Sequence, residues 1–309
     1  MSHFMDRLAE AVQRRGNPVC VGLDPRYEQL PAVLRTSEHA APVDRAEGYR
    51  AFCQGIVDVV APLVPVVKPQ VAFFEQLGPP GMQALAEVVQ YAAARGLLVI
   101  LDAKRNDIGS TASAYADAWL GTGRRSTFAG DALTVSPYLG ADSLEPFVQT
   151  AEERDAGVFI LVKTSNPGGG WLQDLVAEGQ AVFHHVGKMV DSLAEQSAGA
   201  CGYGYVGAVV GATHPQQLAE LRQAMPHTWF LVPGYGSQGG TATDVAAAFD
   251  DRGFGAVVNN SRGIIFAHDR PDYRDKFASG QWQDAVRAAT LAMIDDLRAG
   301  TPAGKLMPR

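Results

Sequence analysis

Short runs of branched apolar residues, each closing in a polar or charged group, recur along the chain with room for one helix between them. Residues 18–23 run into Asp24-Pro25, residues 65–67 into Lys68-Pro69-Gln70, and residues 97–101 into Asp102-Ala103-Lys104. Runs at 132–135, 158–162, 206–210, 229–232 and 256–258 repeat the pattern, the last leading into Asn259-Asn260-Ser261-Arg262-Gly263. Apolar runs without alternation predict strands buried on both faces. Between them, helical apolar spacing predicts helices at 45–60, 81–96, 110–120, 143–153, 182–194, 215–224, 243–250 and 281–298, preceded by a helix from Phe4 that stops at Gly16. Alternating strands and helices predict a parallel sheet with right-handed crossovers. Eight such units close into a (β/α)8 TIM barrel, here with an N-terminal capping helix and extra helical insertions. An open doubly wound sheet fits less well, because no GxGxxG follows the first strand. Residues 1–299 are expected to form one barrel domain, with longer insertions at 26–43 and 166–200, and residues 300–309 a flexible tail.

In a barrel the carboxyl ends of all strands converge on one face. Asp24, Lys68, Asp102, Lys104, Ser165, the loop after Pro233 and Arg262 would then surround one pocket despite their separation in sequence. The sharpest change of character is Leu98-Val99-Ile100-Leu101-Asp102-Ala103-Lys104-Arg105-Asn106-Asp107. Charges at the end of a buried strand are costly unless they are used. Asp102 and Lys104, two apart, project from the same side of an extended chain, and Asp107 follows after a short turn. An ammonium among carboxylates stays charged, so Lys104 reads as an acid rather than a nucleophile. The competing reading is a surface ion pair worth ~0–1 kcal/mol.

Pro233-Gly234-Tyr235-Gly236-Ser237-Gln238-Gly239-Gly240 follows the seventh strand and Arg262 the eighth, the place where barrels often bind phosphate through backbone N–H groups and an arginine fork. Ser165 either donates to a ligand or belongs to a plain Thr-Ser-Asn-Pro turn. Lys68 is either a solvated strand end or a member of the site. Lys163 stands where a Schiff-base aldolase could carry its lysine, and ranks below Lys104. His184 and His185 point ~100° apart on a helix, which suits a surface pair better than a metal site. Trp119 and Trp171 read as packing residues.

A formal net charge of −7 and a pI near 5.5 argue against a nucleic-acid binder, so an anionic ligand has to be met by local cations. Cys20, Cys53 and Cys201 show neither a disulfide framework nor zinc-site spacing. The charged, amphipathic start of the chain differs from a signal peptide, and no apolar run approaches a membrane span. A soluble cytoplasmic protein is expected.

The stretch Asp102-Ala103-Lys104-Arg105-Asn106-Asp107-Ile108, with Thr111 beyond it, resembles the DxKxxDI signature of the orotidine 5'-phosphate decarboxylase family, in its longer branch. Gly22-Leu23-Asp24, Lys68, Thr164-Ser165-Asn166-Pro167-Gly168, the 233–240 stretch and Ser261-Arg262 match in the right order. The resemblance implies decarboxylation of orotidine 5'-monophosphate (OMP) to uridine 5'-monophosphate (UMP) without metal or cofactor. It makes Lys104 the proton donor to C6, places Asp102 beside the substrate carboxylate, and adds Lys68 and Asp107 to a charge network. Asp24 would meet the ribose, Ser165 the pyrimidine, and Pro233, Gln238 and Arg262 would belong to the ligand site, the latter two at the phosphate. It further implies a homodimer in which Asp107 and Thr111 reach across the interface. A metal-dependent sugar-phosphate lyase, an aldolase and a catalytically silent phosphate-binding barrel remain open on the residues alone.

Overall fold

The structure, a computed structural model, describes residues 3–121, 126–236, 238–278 and 280–306. Eight parallel strands close into a barrel: β1 (Val19–Leu23), β2 (Val66–Pro69), β3 (Leu98–Arg105), β4 (Ala132–Val135), β5 (Gly157–Lys163), β8 (Val206–Val210), β9 (Phe230–Val232) and β10 (Ala256–Asn260). The missing numbers, β6 (Val176–Ala177) and β7 (Gln180–Ala181), form a small antiparallel hairpin outside the barrel. Around the barrel the order is β1-β10-β9-β8-β5-β4-β3-β2, so each strand pairs with its barrel neighbours in sequence and β1 closes on β10 through Val19 opposite Val258. Every strand expected from the apolar runs is present. Because both faces of each strand are covered, by barrel interior and by helices, near-continuous apolar sequence is what this sheet requires.

The helices α1 (Phe4–Arg15), α2 (Pro42–Val60), α4 (Pro79–Ala94), α5 (Gly109–Trp119), α6 (Glu145–Arg154), α8 (Val182–Gln196), α9 (Pro215–Ala224) and α13 (Trp282–Gly300) follow the expected spacing. Helix α1 closes the amino-terminal end of the barrel. Phe4 is fully buried and meets Phe159 of β5 edge-on at 6.3 Å, while Arg7 pairs with Asp131 at 2.7 Å and donates to the Asp155 carbonyl. That end is therefore plugged, and only the opposite mouth can receive a ligand.

Several short elements were not expected: α3 (Ala72–Glu75), α7 (Gly170–Gln173), α11 (Arg262–Ile265) and α12 (Pro271–Arg274). Each is about one turn, too short for a 3.6-residue pattern to register. The helix expected at 243–250 is a single turn, α10 (Ala242–Val245), continued as a 3-10 turn. The insertion at 26–43 carries two 3-10 turns, whereas the one at 166–200 carries α7, the hairpin and α8. The expected tail from residue 300 is corrected. A 3-10 turn follows α13 at Pro302–Lys305, with Ala303 and Leu306 buried and Lys305 Nζ on the Asp251 carbonyl at 2.8 Å. Two apolar anchors hold what composition alone made look frayed. Residues 307–309 lie outside the described part, as does Ser237 of the glycine-rich stretch.

Candidate active site

At the open mouth, the carboxylate of Asp102 organises one rim. It is 7% exposed and accepts four hydrogen bonds: from Lys68 Nζ (2.6 Å) and Gln70 Nε2 (3.0 Å) on Oδ2, and from Lys104 Nζ (2.6 Å) and Thr134 Oγ1 (3.0 Å) on Oδ1. Burial alone would raise its pKa, but the Lys68 and Lys104 ammoniums outweigh burial and hold the carboxyl well below the usual carboxylate range. Lys68, 4% exposed, shows the mirror case. Burial would discharge it, yet Asp102 and Asp24 keep its ammonium above the ordinary lysine range.

Lys104 stands in a different environment, with a side chain 47% exposed toward the mouth. Its φ of 48° lies in the left-handed region, and the pairing of β3 with β4 shifts between Leu101 and Arg105. The extended geometry that would place Asp102 and Lys104 on one side is thus broken at Lys104 itself. The backbone twist is held by Lys104 N donating to Thr134 Oγ1 at 2.9 Å, and the ammonium still reaches Asp102. Such a conformation costs ~1–3 kcal/mol and persists where surroundings over-determine it.

Within one chain the arrangement is two ammoniums on one carboxylate. Asp107 Oδ1 accepts from Ile108 N at 2.9 Å, and Asp107 is not among the residues lining the cavity at the mouth. Thr111, in the first turn of α5, is exposed and also outside it. After Arg105 the chain leaves the rim; Arg105 turns outward to Glu75 and stacks on Trp119, which is buried as expected.

The cavity holds about 380 Å³, within the range of small-molecule sites. Asp24, Lys68, Asp102 and Lys104 line one side; Ser165, Pro233 and Gln238 line the other. Asp24 Oδ1 is buried with no hydrogen-bond partner among the described residues, and burial pushes this carboxyl up against the pull of Lys68. Ser165 fits because two neighbours lack side chains. A Cβ on Gly211 would lie 2.8 Å from Ser165 Cβ, and one on Gly234, at φ 100°, would lie 3.3 Å from it. Arg262 opens α11 and lines an adjoining cavity of about 810 Å³ with Tyr235 and Gly236, not the one that holds Lys104. The lining of the two cavities divides at the end of β10, where Asn259 lines the first and Asn260 the second.

Sequence reasoning missed Gln70, Thr134, Thr164, Asn166 and Asn259, all of which line the cavity. Gln70 had a readable signal: it stands two residues after Lys68, the same offset that singled out Lys104 after Asp102. Lys163 is fully buried, pairs with Asp174 at 2.5 Å and lies outside the cavity, which removes it as a rival to Lys104. His184 pairs with Glu220 and His185 with the Ala177 carbonyl, the expected surface pair. Trp171 is 83% exposed, not a packing residue; one-turn α7 leaves it on the outside of the insertion.

The model of the orotidine 5'-phosphate decarboxylase / HUMPS family matches residues 17–274. An orotidine 5'-phosphate decarboxylase of Rhodopirellula baltica is 57% identical over 301 residues, covering 96% of this chain and all of that protein. One from Deinococcus radiodurans is 42% identical over 295 residues, covering 95% and 96%. Among solved structures, OMP decarboxylase of Leishmania donovani superposes with a TM-score of 0.74 at 33% identity, covering 97% of this chain and 98% of that one. With the barrel, the two-lysine carboxylate at its mouth and these matches in agreement, the chain belongs to the orotidine 5'-phosphate decarboxylase / HUMPS family.

Proposed function

We propose that Lys104 is the acid in the family's reaction, the decarboxylation of OMP to UMP in pyrimidine nucleotide synthesis. The observation that carries this reading is the carboxylate of Asp102, buried and neutralised twice, holding the half-exposed Lys104 ammonium at the floor of a nucleotide-sized cavity. In the reaction the bond from C6 to the carboxylate breaks, carbon dioxide leaves, and the electron pair stays on C6. The fixed Lys104 cation stabilises that charge as it develops and then delivers a proton to C6. Asp102 is read as lying beside the substrate carboxylate, and Lys68 holds Asp102 ionised in a place burial would otherwise neutralise. No metal or organic cofactor enters this scheme.

The remaining contacts follow the cavity walls. Asp24, with an unsatisfied buried oxygen, accepts from a ribose hydroxyl; Ser165 donates to the pyrimidine; Pro233 and Gln238 flank the sugar-phosphate, and Arg262, just beyond the end of β10, meets the phosphate. Phosphate contacts remote from C6 help to orient the base, which is how binding energy reaches the transition state.

A second copy of the chain completes the site. Asp107 and Thr111 lie outside the cavity of their own chain, beside Ile108 (56% exposed), and the next strand is followed by Tyr138 (73%) and Leu139 (46%). This exposed apolar group is suited to an isologous dimer contact that delivers Asp107 and Thr111 to the partner's mouth. All three cysteines are free thiols, which fits a reducing compartment, and we assign the protein to the cytoplasm.

The test is the ultraviolet absorbance of OMP followed with purified protein in EDTA. Loss of absorbance with release of carbon dioxide is expected. UMP binding without turnover would favour the silent barrel, and inhibition by EDTA a metal-dependent lyase.

A further inference from the structure

We infer that Lys163, Gln173 and Asp174 form a clamp that sets the position of residues 164–166 in the cavity, making the start of the long insertion after β5 a positioning device for the pyrimidine end of the ligand. The inference rests on reading the cavity as a nucleotide site. Lys163 closes β5 with no exposed surface, beside the ring of Phe183 at 5.3 Å, and Nζ donates to Asp174 Oδ1 at 2.5 Å. A buried ammonium has to be matched, so this strand end pulls Asp174, and with it α7, onto the barrel. Immediately before Asp174, the Gln173 side chain grips one residue at both ends. Its Oε1 accepts from Thr164 N at 3.0 Å and its Nε2 donates to Thr164 Oγ1 at 2.8 Å. Thr164 Oγ1 in turn donates to Asn166 Oδ1 at 2.6 Å, and Thr213 Oγ1 donates to the Ser165 carbonyl at 3.4 Å.

Thr164, Ser165 and Asn166 line the cavity, whereas Lys163, Gln173 and Asp174 stand behind them. A turn held only by its own bonds would let Ser165 drift, and a supporting layer that fixes contact groups is worth a large factor in rate or affinity. The clamp therefore supports the base side of the cavity alone. The phosphate side, around Gln238 and Arg262, is built on the ends of β9 and β10; its loop meets the clamped turn where Gly234 packs on Ser165, while Lys163, Gln173 and Asp174 stand behind that turn.

The experiment compares Gln173→Ala and the paired change Lys163→Met with Asp174→Leu, which removes both charges of the ion pair together, against the wild type. Kinetics on OMP are combined with inhibition by UMP and by ribose 5-phosphate, which lacks the base. The clamp predicts KM for OMP up and UMP inhibition weakened by about tenfold, kcat changed much less, and ribose 5-phosphate inhibition unaltered. Lys163→Arg, which keeps the ion pair, should behave as wild type. Equal weakening of UMP and ribose 5-phosphate would mean a merely structural role, and no change in either would mean no role; both overturn the clamp. Should the paired variant fail to fold, Gln173→Ala alone decides, since it removes two hydrogen bonds and no charge. If wild-type protein binds UMP yet leaves OMP intact, the decarboxylase reading falls, while calorimetric binding of UMP and ribose 5-phosphate to the same variants still judges the clamp.

Discussion

The two sides of the mouth are built on opposite principles. Across β2 to β4, Lys68, Gln70, Asp102, Lys104 and Thr134 are linked by bonds of 2.6 to 3.0 Å, and their carboxylate is nearly sealed from water. Across β9 and β10, the loop after Pro233 is closed mostly by its own backbone, Gly236 N to the Gly240 carbonyl and Gly240 N to the Gly234 carbonyl, while Gln238 at its tip is exposed. Tyr235 ties its root to Asp296 of α13. Charges that must act on a transient carbanion are set before the substrate arrives, so no reorganisation is needed at the moment of reaction. Groups that grip a phosphate gain by remaining adjustable, because the ligand itself supplies the charge that orders them. Changes on the first side should therefore strike kcat and stability, changes on the second KM.

The largest effect belongs to Lys104. Lys104→Ala should abolish measurable turnover, at least about 10⁴-fold or roughly 5 kcal/mol of barrier, while UMP binding by calorimetry largely survives; ordinary turnover would break the comparison outright. The same variant tests the dimer. Asp107→Ala alone should also be nearly inactive, yet mixed dimers of Lys104→Ala and Asp107→Ala chains contain one intact site, so mixing and re-equilibrating the two should restore roughly a quarter of wild-type activity. No recovery would place Asp107 outside the partner's site.

Lys68 comes next, and its effect is on the fold. Lys68→Met leaves Asp102 buried with one of its two ammoniums gone, at a cost of about 3 kcal/mol in urea unfolding. The pH profile of stability carries the same signature with two signs. Asp102 is held below its unfolded value of 3.8, so its contribution is present above that pH and is lost as acid carries the solution down toward the folded value. Lys68 is held above its unfolded value of 10.5, so its contribution is present below that pH and is lost as the solution is made more alkaline. These two contributions should be constant between those limits, and Lys68→Met should remove the part of the alkaline limb that Lys68 supplies.

How much of this division could be read from sequence differs between the sides as well. Strand ends were legible because an apolar run broken by Asp24, Lys68 or Asp102 is energetically conspicuous, and eight such breaks imply a barrel. The network around Asp102 was half legible. Thr134 interrupts an otherwise apolar strand and Gln70 repeats the two-residue offset, but uncharged polar residues are cheap in so many places that neither stood out. The direction in which Asp107 points from its own chain was not legible: a turn after Arg105 carries it out of the cavity, and turns have no periodicity from which direction follows. Arg262 was placed correctly by strand end, whereas its facing the adjoining cavity depends on the one-turn α11, below the resolution of any spacing argument. The packing of Ala303 and Leu306 rests on partners far away in sequence and was likewise invisible.

On the second side, Arg262→Ala should raise KM for OMP by roughly 10- to 100-fold, the loss of hydrogen bonds to a charged group at ~1.5–3 kcal/mol, with kcat changed far less. A matching fall in kcat with unchanged KM would dissolve the distinction between the two rims.

The smallest effect sharpens the boundary between them. Asp24 sits on the fixed rim but is not satisfied by it: Oδ1 is buried without a partner among the described residues, and burial raises the carboxyl despite Lys68 nearby. A carboxyl raised in the folded state costs stability as the pH rises from its unfolded value of 3.8 through its folded value, because ionising it in the fold is harder than in the unfolded chain. Asp24→Asn removes that ionisation and keeps the shape, so the fold should gain on the order of 1 kcal/mol at neutral pH, read as a higher urea midpoint with the slope unchanged. The same change removes an anionic acceptor from the ribose and should weaken UMP binding. Gain in stability with loss of affinity would mark Asp24 as a group kept unsatisfied for its ligand; loss of both would make it one more structural member of the Asp102 network.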